Sequence, residues 1–104
     1  MNTAFTIPVI ETERLRLRAF REDDLDALAA MSADPEVMRY IGSGETIDRT
    51  GTWRAMAGFN GHWSLNGCGM WVIERKSDGA FLGRVGLHHP PYWPALEAGW
   101  TLAR

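Results

Sequence analysis

The sequence has little of several features that would narrow its class. Its one cysteine, Cys68, cannot form a disulfide within the chain. A formal net charge of -2 gives no electrostatic reason to expect nucleic acid or an anionic membrane as partner. No apolar run approaches the roughly 18–20 residues that span a bilayer, and the opening "MNTAFTIPVI" lacks the positive start of a signal peptide. The single cysteine and the five methionines together predict a reducing cytoplasmic location.

Several catalytic and metal signatures are also missing from the sequence. It contains no G-x-S-x-G elbow and no Walker phosphate loop. Cys68 has no partner at ligand spacing, and the adjacent His88 and His89 cannot comfortably share one ion. We therefore expect no metal site.

What is present is typical of one globular domain. The composition is 45% hydrophobic and 23% charged, which argues against disorder. Five tryptophans are many for a chain of 104 residues. They indicate large aromatic walls, either in the core or around a small-molecule pocket.

The first third of the chain predicts a strand followed by a helix. In "TERLRLRAF", Leu15 and Leu17 alternate with a row of arginines, which is the period of a strand. The arginine row indicates a solvated sheet face with carboxylate neighbours, with phosphate binding as the alternative. In "REDDLDALAAM" the apolar residues have helical spacing, and acidic residues occupy the first turn, where the helix dipole favours them.

Two further helices are predicted before the next strand. Asp34 can cap a short helix, and Pro35 suits its first position. The stretch "TIDRTGTWRAMAGFNGHW" predicts a helix that begins at a capping Thr46. Three glycines inside it each cost about 1 kcal/mol relative to alanine, so we expect a frayed or broken helix. They are Gly51, Gly58 and Gly61.

The second half of the chain has the period of strands. "GMWVIERKSDGAFLGRVGLHH" predicts two strands joined by a hairpin at Ser77-Asp78-Gly79. Gly83 and Gly86 indicate a bulge or a close backbone approach. After the proline-rich loop "HPPYWPA", "LEAGWTLAR" predicts a last strand. The order β-α-α-α-β-β-β indicates an α+β fold with an antiparallel sheet and its helices between the first two strands.

Four stretches together carry a resemblance to a known family. In this order they resemble the N-terminal half of a GNAT-superfamily N-acetyltransferase, in the branch containing the ribosomal-protein alanine N-acetyltransferases. The resemblance implies transfer of acetyl from acetyl-CoA to the primary amine of a small molecule or peptide. The stretches are "IETERLRLRAF", "DLDALAAMSADPEVMRYIG", "GMWVIERKSDGAFLGRVGLHH" and "LEAGWTLAR".

The resemblance also implies a segment beyond the last predicted strand. In the family a Q/R-x-x-G-x-G/A turn follows the fourth strand, and its backbone N–H groups at a helix N-terminus bind the pyrophosphate of acetyl-CoA. The sequence ends at Arg104, where this turn would begin. We therefore expect residues 1–104 to be a single truncated domain that lacks the cofactor-binding half and is inactive alone.

A second match to the turn pattern lies elsewhere in the chain. "RYIGSG", from Arg39 to Gly44, fits R-x-x-G-x-G letter for letter. It follows a predicted helix rather than a strand, and Glu45 and Asp48 would place negative charge beside the phosphates. We therefore interpret this stretch as a helix end, with Gly42 as its C-cap.

The resemblance implies catalytic groups near the last strand. Attack on the thioester needs a neutral amine, hence a base or a water chain, and donors for the developing oxyanion. The family pattern implies Glu97 as that base, directly or through water; the alternative is an ordinary solvent-facing strand carboxylate. His88 is the second candidate, because its ordinary pKa of about 6.5 suits proton transfer; a purely structural role is its alternative.

The resemblance also implies binding residues. The backbone of Thr101, Leu102 and Ala103 matches the segment that hydrogen-bonds the pantetheine arm and acetyl group. Four aromatic residues could wall the amine site, since an aromatic face can hold a cation; core packing is an equal alternative for Trp71. The four are Trp63, Trp71, Tyr92 and Trp93.

A non-catalytic function is the alternative interpretation of the sequence. The last predicted strand would have an unpaired, apolar edge, which is a template for pairing with another chain. The alternative is therefore a GNAT-like half-domain that acts as a binding module or as a homodimer through residues 96–103.

Overall fold

A computed structural model describes residues 6–89 and 95–103. These residues form an α+β fold with one five-stranded antiparallel sheet in the order β1-β2-β3-β4-β5, which confirms the predicted fold class. The strands are β1 (Ile10–Glu11), β2 (Leu15–Arg18), β3 (Met70–Arg75), β4 (Phe81–His88) and β5 (Glu97–Leu102). A 3-10 helix (Glu22–Asp24) and the helices α1 (Leu25–Ala33), α2 (Pro35–Met38) and α3 (Arg49–Asn66) lie between β2 and β3.

Helix α2 begins as predicted but ends before the predicted residue. The Asp34 carboxylate accepts a hydrogen bond from the Glu36 N–H at 2.9 Å, and Pro35 is the first helical residue. The helix ends at Met38, so the prediction that Gly42 is its C-cap is wrong. Gly42 lies in the following turn with a φ of +52°, a left-handed conformation that glycine adopts without strain.

Helix α3 is one continuous helix, so the expectation of a broken helix is wrong. Asp48, not Thr46, caps it by accepting the Gly51 N–H at 2.8 Å. Buried side chains recur along one face, and their packing outweighs the glycine penalties. The helix ends at Asn66 and is capped by Gly67, whose φ of +72° is left-handed. The buried residues of α3 are Thr52, Met56, His62 and Trp63.

The hydrophobic core lies between the helices and one face of the sheet. It is formed by apolar side chains from the segment after β2, from α1 and α3, and from β3. Val72, in the centre of the sheet, has no exposed surface. The other members of this core are Phe20, Leu28, Met31, Met56 and Met70.

A buried ion-pair network holds β2 against β3. Arg18 donates to both carboxylate oxygens of Asp24 at 2.8 Å and to Glu74, while Arg16 donates to Glu74 at 2.8 Å. Hydrogen bonding from Arg18 holds the pKa of Glu74 below its usual range. The predicted carboxylate neighbours are therefore present, but Arg18 is buried rather than solvated.

Two glycines of β4 let its neighbours approach closely, as predicted. Gly83 and Gly86 have φ values of +151° and +158°, a region that side chains rarely allow. A Cβ atom at Gly83 would collide with the Thr101 carbonyl, and one at Gly86 with the Gly69 carbonyl. The register also shifts opposite Ile73 and Glu74, so β4 carries a bulge as well.

The hairpin between β3 and β4 turns at the predicted residues, with Gly79 at a φ of +74°. Within residues 6–89 and 95–103, no helix has the length and apolar character needed to cross a bilayer.

Candidate functional site

A cleft of 280 Å³ lies on the helix side of the sheet, where β4 and β5 meet the loop after α2. Its size is close to the lower end of small-molecule sites, which are about 300–1,000 Å³. Its walls are mostly apolar, with three ionisable side chains among them. The lining residues are Ile41, Gly42, Phe59, Met70, Arg84, His88, Glu97, Ala98 and Gly99.

Strand pairing explains why these ionisable side chains share one face. Directly paired residues of antiparallel strands project on the same side of a sheet. Arg84 pairs with Val72, a core residue, so the alternate residues of β4 from Arg84 to His88 face the helices. Glu97 pairs with His88 and faces the same side. The structure thus brings the two predicted catalytic residues together in the cleft.

His88 is packed against a second histidine, His62, whose two ring nitrogens are both hydrogen-bonded. The rings of His62 and His88 stack with centroids 4.8 Å apart. The His62 Nδ1 lies 2.7 Å from the Cys68 carbonyl oxygen, which can only accept, while its Nε2 accepts the His89 N–H at 2.8 Å. His62 therefore donates through Nδ1 and accepts through Nε2. This use of both ring nitrogens gives His62 a structural role.

The environment of His88 favours its neutral form. Burial, followed by the proximity of His62 and Arg84, holds the pKa of His88 below its ordinary value of 6.5. A neutral imidazole can accept a proton, so His88 is available as a base at neutral pH. Glu97, by contrast, is exposed at the mouth of the cleft.

The lowered pKa of His88 predicts an acid-sensitive fold. Near pH 6.5 the unfolded chain binds more protons at this residue than the folded chain does, so stability rises with pH through that region and falls on acidification. We expect the urea midpoint to drop between about pH 7.5 and about pH 5.5. His88→Asn should make this dependence shallower, and His89→Asn, at an exposed position, should leave it unchanged. An equally steep dependence in His88→Asn would contradict the assignment.

Arg84 is the cleft residue that the sequence analysis missed. Its guanidinium carbon lies 5.0 Å from the centroid of the Phe59 ring, a cation–π distance. Burial lowers the pKa of Arg84 from its usual value. The sequence could have revealed Arg84 through the alternation of side chains along a strand. Arg84 and His88 are four residues apart on one strand, so they must share a face.

The three predicted cofactor-binding residues lie at the end of β5. The Ala103 N–H donates to the Leu82 carbonyl at 2.8 Å, so the backbone groups of Ala103 and, by alternation, Thr101 point towards β4. Leu102 directs its backbone groups to the opposite edge, which pairs with no strand of the described residues. An extended ligand with amide groups could therefore hydrogen-bond to Leu102, and likewise to Trp100 and Ala98.

Two of the four residues predicted to form an aromatic wall, Trp63 and Trp71, are described by the structure. The Trp63 N–H donates to the Met70 carbonyl at 2.9 Å, and its ring packs edge-on against Trp71 at 4.8 Å. Trp71 in turn donates to the Pro8 carbonyl at 2.8 Å. Neither side chain lines the cleft. Tyr92 and Trp93 lie outside the described residues.

The cleft therefore combines an exposed carboxylate, a neutral imidazole and a half-buried guanidinium between apolar walls. A carboxylate attracts and can deprotonate an ammonium group, so the site suits an amine ligand. In the described part of the chain, no three His, Cys, Asp or Glu side chains are placed to hold a metal ion.

A protein-family model and two solved structures that match this chain are all described as acetyltransferases. The model of the acetyltransferase (GNAT) domain matches residues 14–104. An acetyltransferase from Agrobacterium tumefaciens is 33% identical, with a TM-score of 0.79 over 98% of this chain and 58% of that one. A GNAT-family acetyltransferase from Bordetella pertussis is 21% identical with a TM-score of 0.73, over 93% of this chain and 59% of that one, and shows the fold. The chain thus spans less than two thirds of the length of these structures.

Proposed function

Because the chain belongs to the GNAT acetyltransferase family, we propose that it forms the acceptor side of an N-acetyltransferase that transfers acetyl from acetyl-CoA to a primary amine. The observation that carries the proposal is the pairing of Glu97 with His88 at the mouth of one cleft. The sequence motifs "TERLRLR" and "DPEVMRYIG" support the further proposal that the protein falls in the ribosomal-protein alanine branch.

Two ionisable residues of the cleft have roles in the proposed reaction. Glu97 attracts the acceptor's ammonium group and removes its proton, directly or through water, so that the neutral amine can attack the thioester carbonyl. The new C–N bond forms as the C–S bond breaks; the attacking nitrogen gives up its second proton, and the CoA thiolate takes up a proton and leaves as the thiol. His88, kept neutral by its surroundings, is the second proton acceptor of the cleft.

The edge of β5 that pairs with no described strand fits the acetyl donor. The pantetheine arm of acetyl-CoA carries amide groups, and the outward backbone groups of Ala98, Trp100 and Leu102 are spaced to pair with them as another strand would. These residues lie beside the cleft, so the arm would carry the thioester towards Glu97. The 104 residues contain no glycine-rich turn after β5. We therefore propose that the chain alone does not turn over.

A chimera tests this function. Residues 1–104 are joined to the remaining C-terminal part of the Agrobacterium acetyltransferase, whose fold this chain shares over 98% of its length. We expect amine-dependent release of CoA and an N-acetyl product by mass spectrometry from the chimera, and neither from the 104-residue chain. Micromolar binding of acetyl-CoA to the chain alone, measured by isothermal titration, would contradict the proposed division of roles.

The second candidate function is a non-catalytic module that self-associates through β5. Trp100 and Leu102 expose 70% and 56% of their surface on the face of β5 away from the cleft, next to the unpaired edge. A folded chimera that acetylates no amine, together with a dimer of the 104-residue chain in sedimentation, would favour this candidate over the enzyme.

A further inference from the structure

Arg84 is a half-buried cation that forms no ion pair with any residue the structure describes. All 13 aspartates and glutamates of the sequence lie within residues 6–89 and 95–103, and none of them is within 4.0 Å of the Arg84 guanidinium. The other sheet arginines differ: Arg16 and Arg18 share Glu74, and Arg75 pairs with Asp78 at 2.8 Å. Arg14 and Arg54 also form no ion pair with a described residue, but both are exposed to water.

The surroundings of Arg84 do not compensate for this burial. Its guanidinium lies over the Phe59 ring and donates no hydrogen bond to a described residue. It lines both the 280 Å³ cleft and an adjoining mostly apolar cavity of 100 Å³. A charge removed from water without a partner is costly, and a bound oxyanion would remove that cost. A guanidinium over an aromatic ring still has in-plane N–H donors, which match a carboxylate in a two-point fork.

We propose that Arg84 binds a carboxylate carried by the acceptor, so that the cleft selects amines that are also acids. The inference rests on the proposed function and names its substrate class. The cleft has two side chains of opposite charge: Glu97 attracts the ammonium group and Arg84 attracts the carboxylate. Polyamines are excluded, because a second ammonium group would be repelled by Arg84.

The distance between Arg84 and Glu97 suits a small ligand. Arg84 lies four residues from His88, the partner of Glu97, which is about 13 Å along the strand. An arginine side chain is long enough to close part of this distance. The remainder fits a free amino acid or a peptide N-terminus followed by an acidic residue, and both present the same chemistry of a carboxylate near a primary amine.

Binding to the 104-residue chain tests the inference without requiring turnover. The probes are the L-amino acids, each compared with its decarboxylated amine, and the peptide amide Ala-Asp-Ala compared with Ala-Asn-Ala. Affinities are measured by NMR titration for the original chain, Arg84→Met, Arg84→Lys and the exposed control Arg54→Met. The two Arg84 variants remove the charge and the fork respectively, and a urea titration verifies that each is folded.

We expect at least one acid to bind more tightly than its matched neutral probe. Arg84→Met should weaken that acid by about 10- to 100-fold, Arg84→Lys by less, and Arg54→Met by less than about two-fold. Preference among the amino acids identifies a free acid as acceptor, and preference for Ala-Asp-Ala identifies a peptide. If no acid binds better than its neutral probe, or if the preference survives Arg84→Met, the inference is wrong.

The two proposals fail in different ways. A chimera that acetylates amines with and without a carboxylate equally well would retain the enzyme and overturn the role of Arg84. Acid binding that depends on Arg84, with no acetylation by a folded chimera, would support the anion site and overturn the enzyme.

Discussion

Replacing Glu97 by glutamine lowers the acetylation rate of the chimera by about 10²- to 10⁴-fold, the range for loss of a general base. Glutamine keeps the size of the side chain and its exposed place on β5, so the fold and the cleft should be preserved. What is lost is the group that accepts the proton and attracts the ammonium. Steady-state release of CoA measures this effect, with Glu36→Gln, an exposed carboxylate on α2 outside the cleft, as the matched control.

The pH dependence distinguishes a base from a positioning group. As pH rises through the pKa of the acceptor amine, the amine loses its proton to solvent and the need for Glu97 disappears. The deficit of Glu97→Gln should therefore narrow at high pH. A deficit that is constant across pH, or a rate within about three-fold of the original at neutral pH, would remove Glu97 from the role of base.

Replacing Gly86 by alanine destabilises the fold by about 3 kcal/mol or more, from steric overlap and backbone strain together. The added Cβ would overlap the Gly69 carbonyl and approach the Met70 Cα, which are backbone atoms of the neighbouring strand region and cannot move independently. The φ of +158° adds strain that no rearrangement of side chains relieves. Urea denaturation of Gly86→Ala measures the loss.

A second glycine serves as the control of opposite sign. Gly58 lies inside α3, and a Cβ there would meet no atom within 4 Å. Gly58→Ala should therefore stabilise the chain by up to about 1 kcal/mol, through helix propensity alone. If both variants had the same stability as the original chain, the close approach at Gly86 would not exist in solution.

Local signals in the sequence were sufficient for most of the fold. Strand alternation, the cap at Asp34 and the turn at Gly79 all depend on neighbours along the chain, and the structure agrees with them. The continuity of α3 was missed because packing of Met56 and Trp63 against distant elements outweighs the propensity of its glycines.

The site shows the same division between local and distant information. The alternation of side chains along a strand places Glu97 and His88 on one face only when the register between β4 and β5 is known. That register is set by pairing across the loop between the two strands. The solvated-face interpretation failed at Arg18 because Asp24 and Glu74 reach it from other elements. Arg84 escaped notice because its distinguishing property, burial without an ion pair to any described residue, is defined only in three dimensions.

The order of strands in the sheet is also the order of strands in the chain. During synthesis on the ribosome, each strand that emerges can pair with the edge of the strand made before it. Only the helices between β2 and β3 interrupt this order of addition. None of the five described strands is inserted between two others, so loop closure between remote segments is rarely required among them. This part of the sheet can therefore grow in the direction of translation, with β5, the strand beside the proposed acceptor cleft, added after β4.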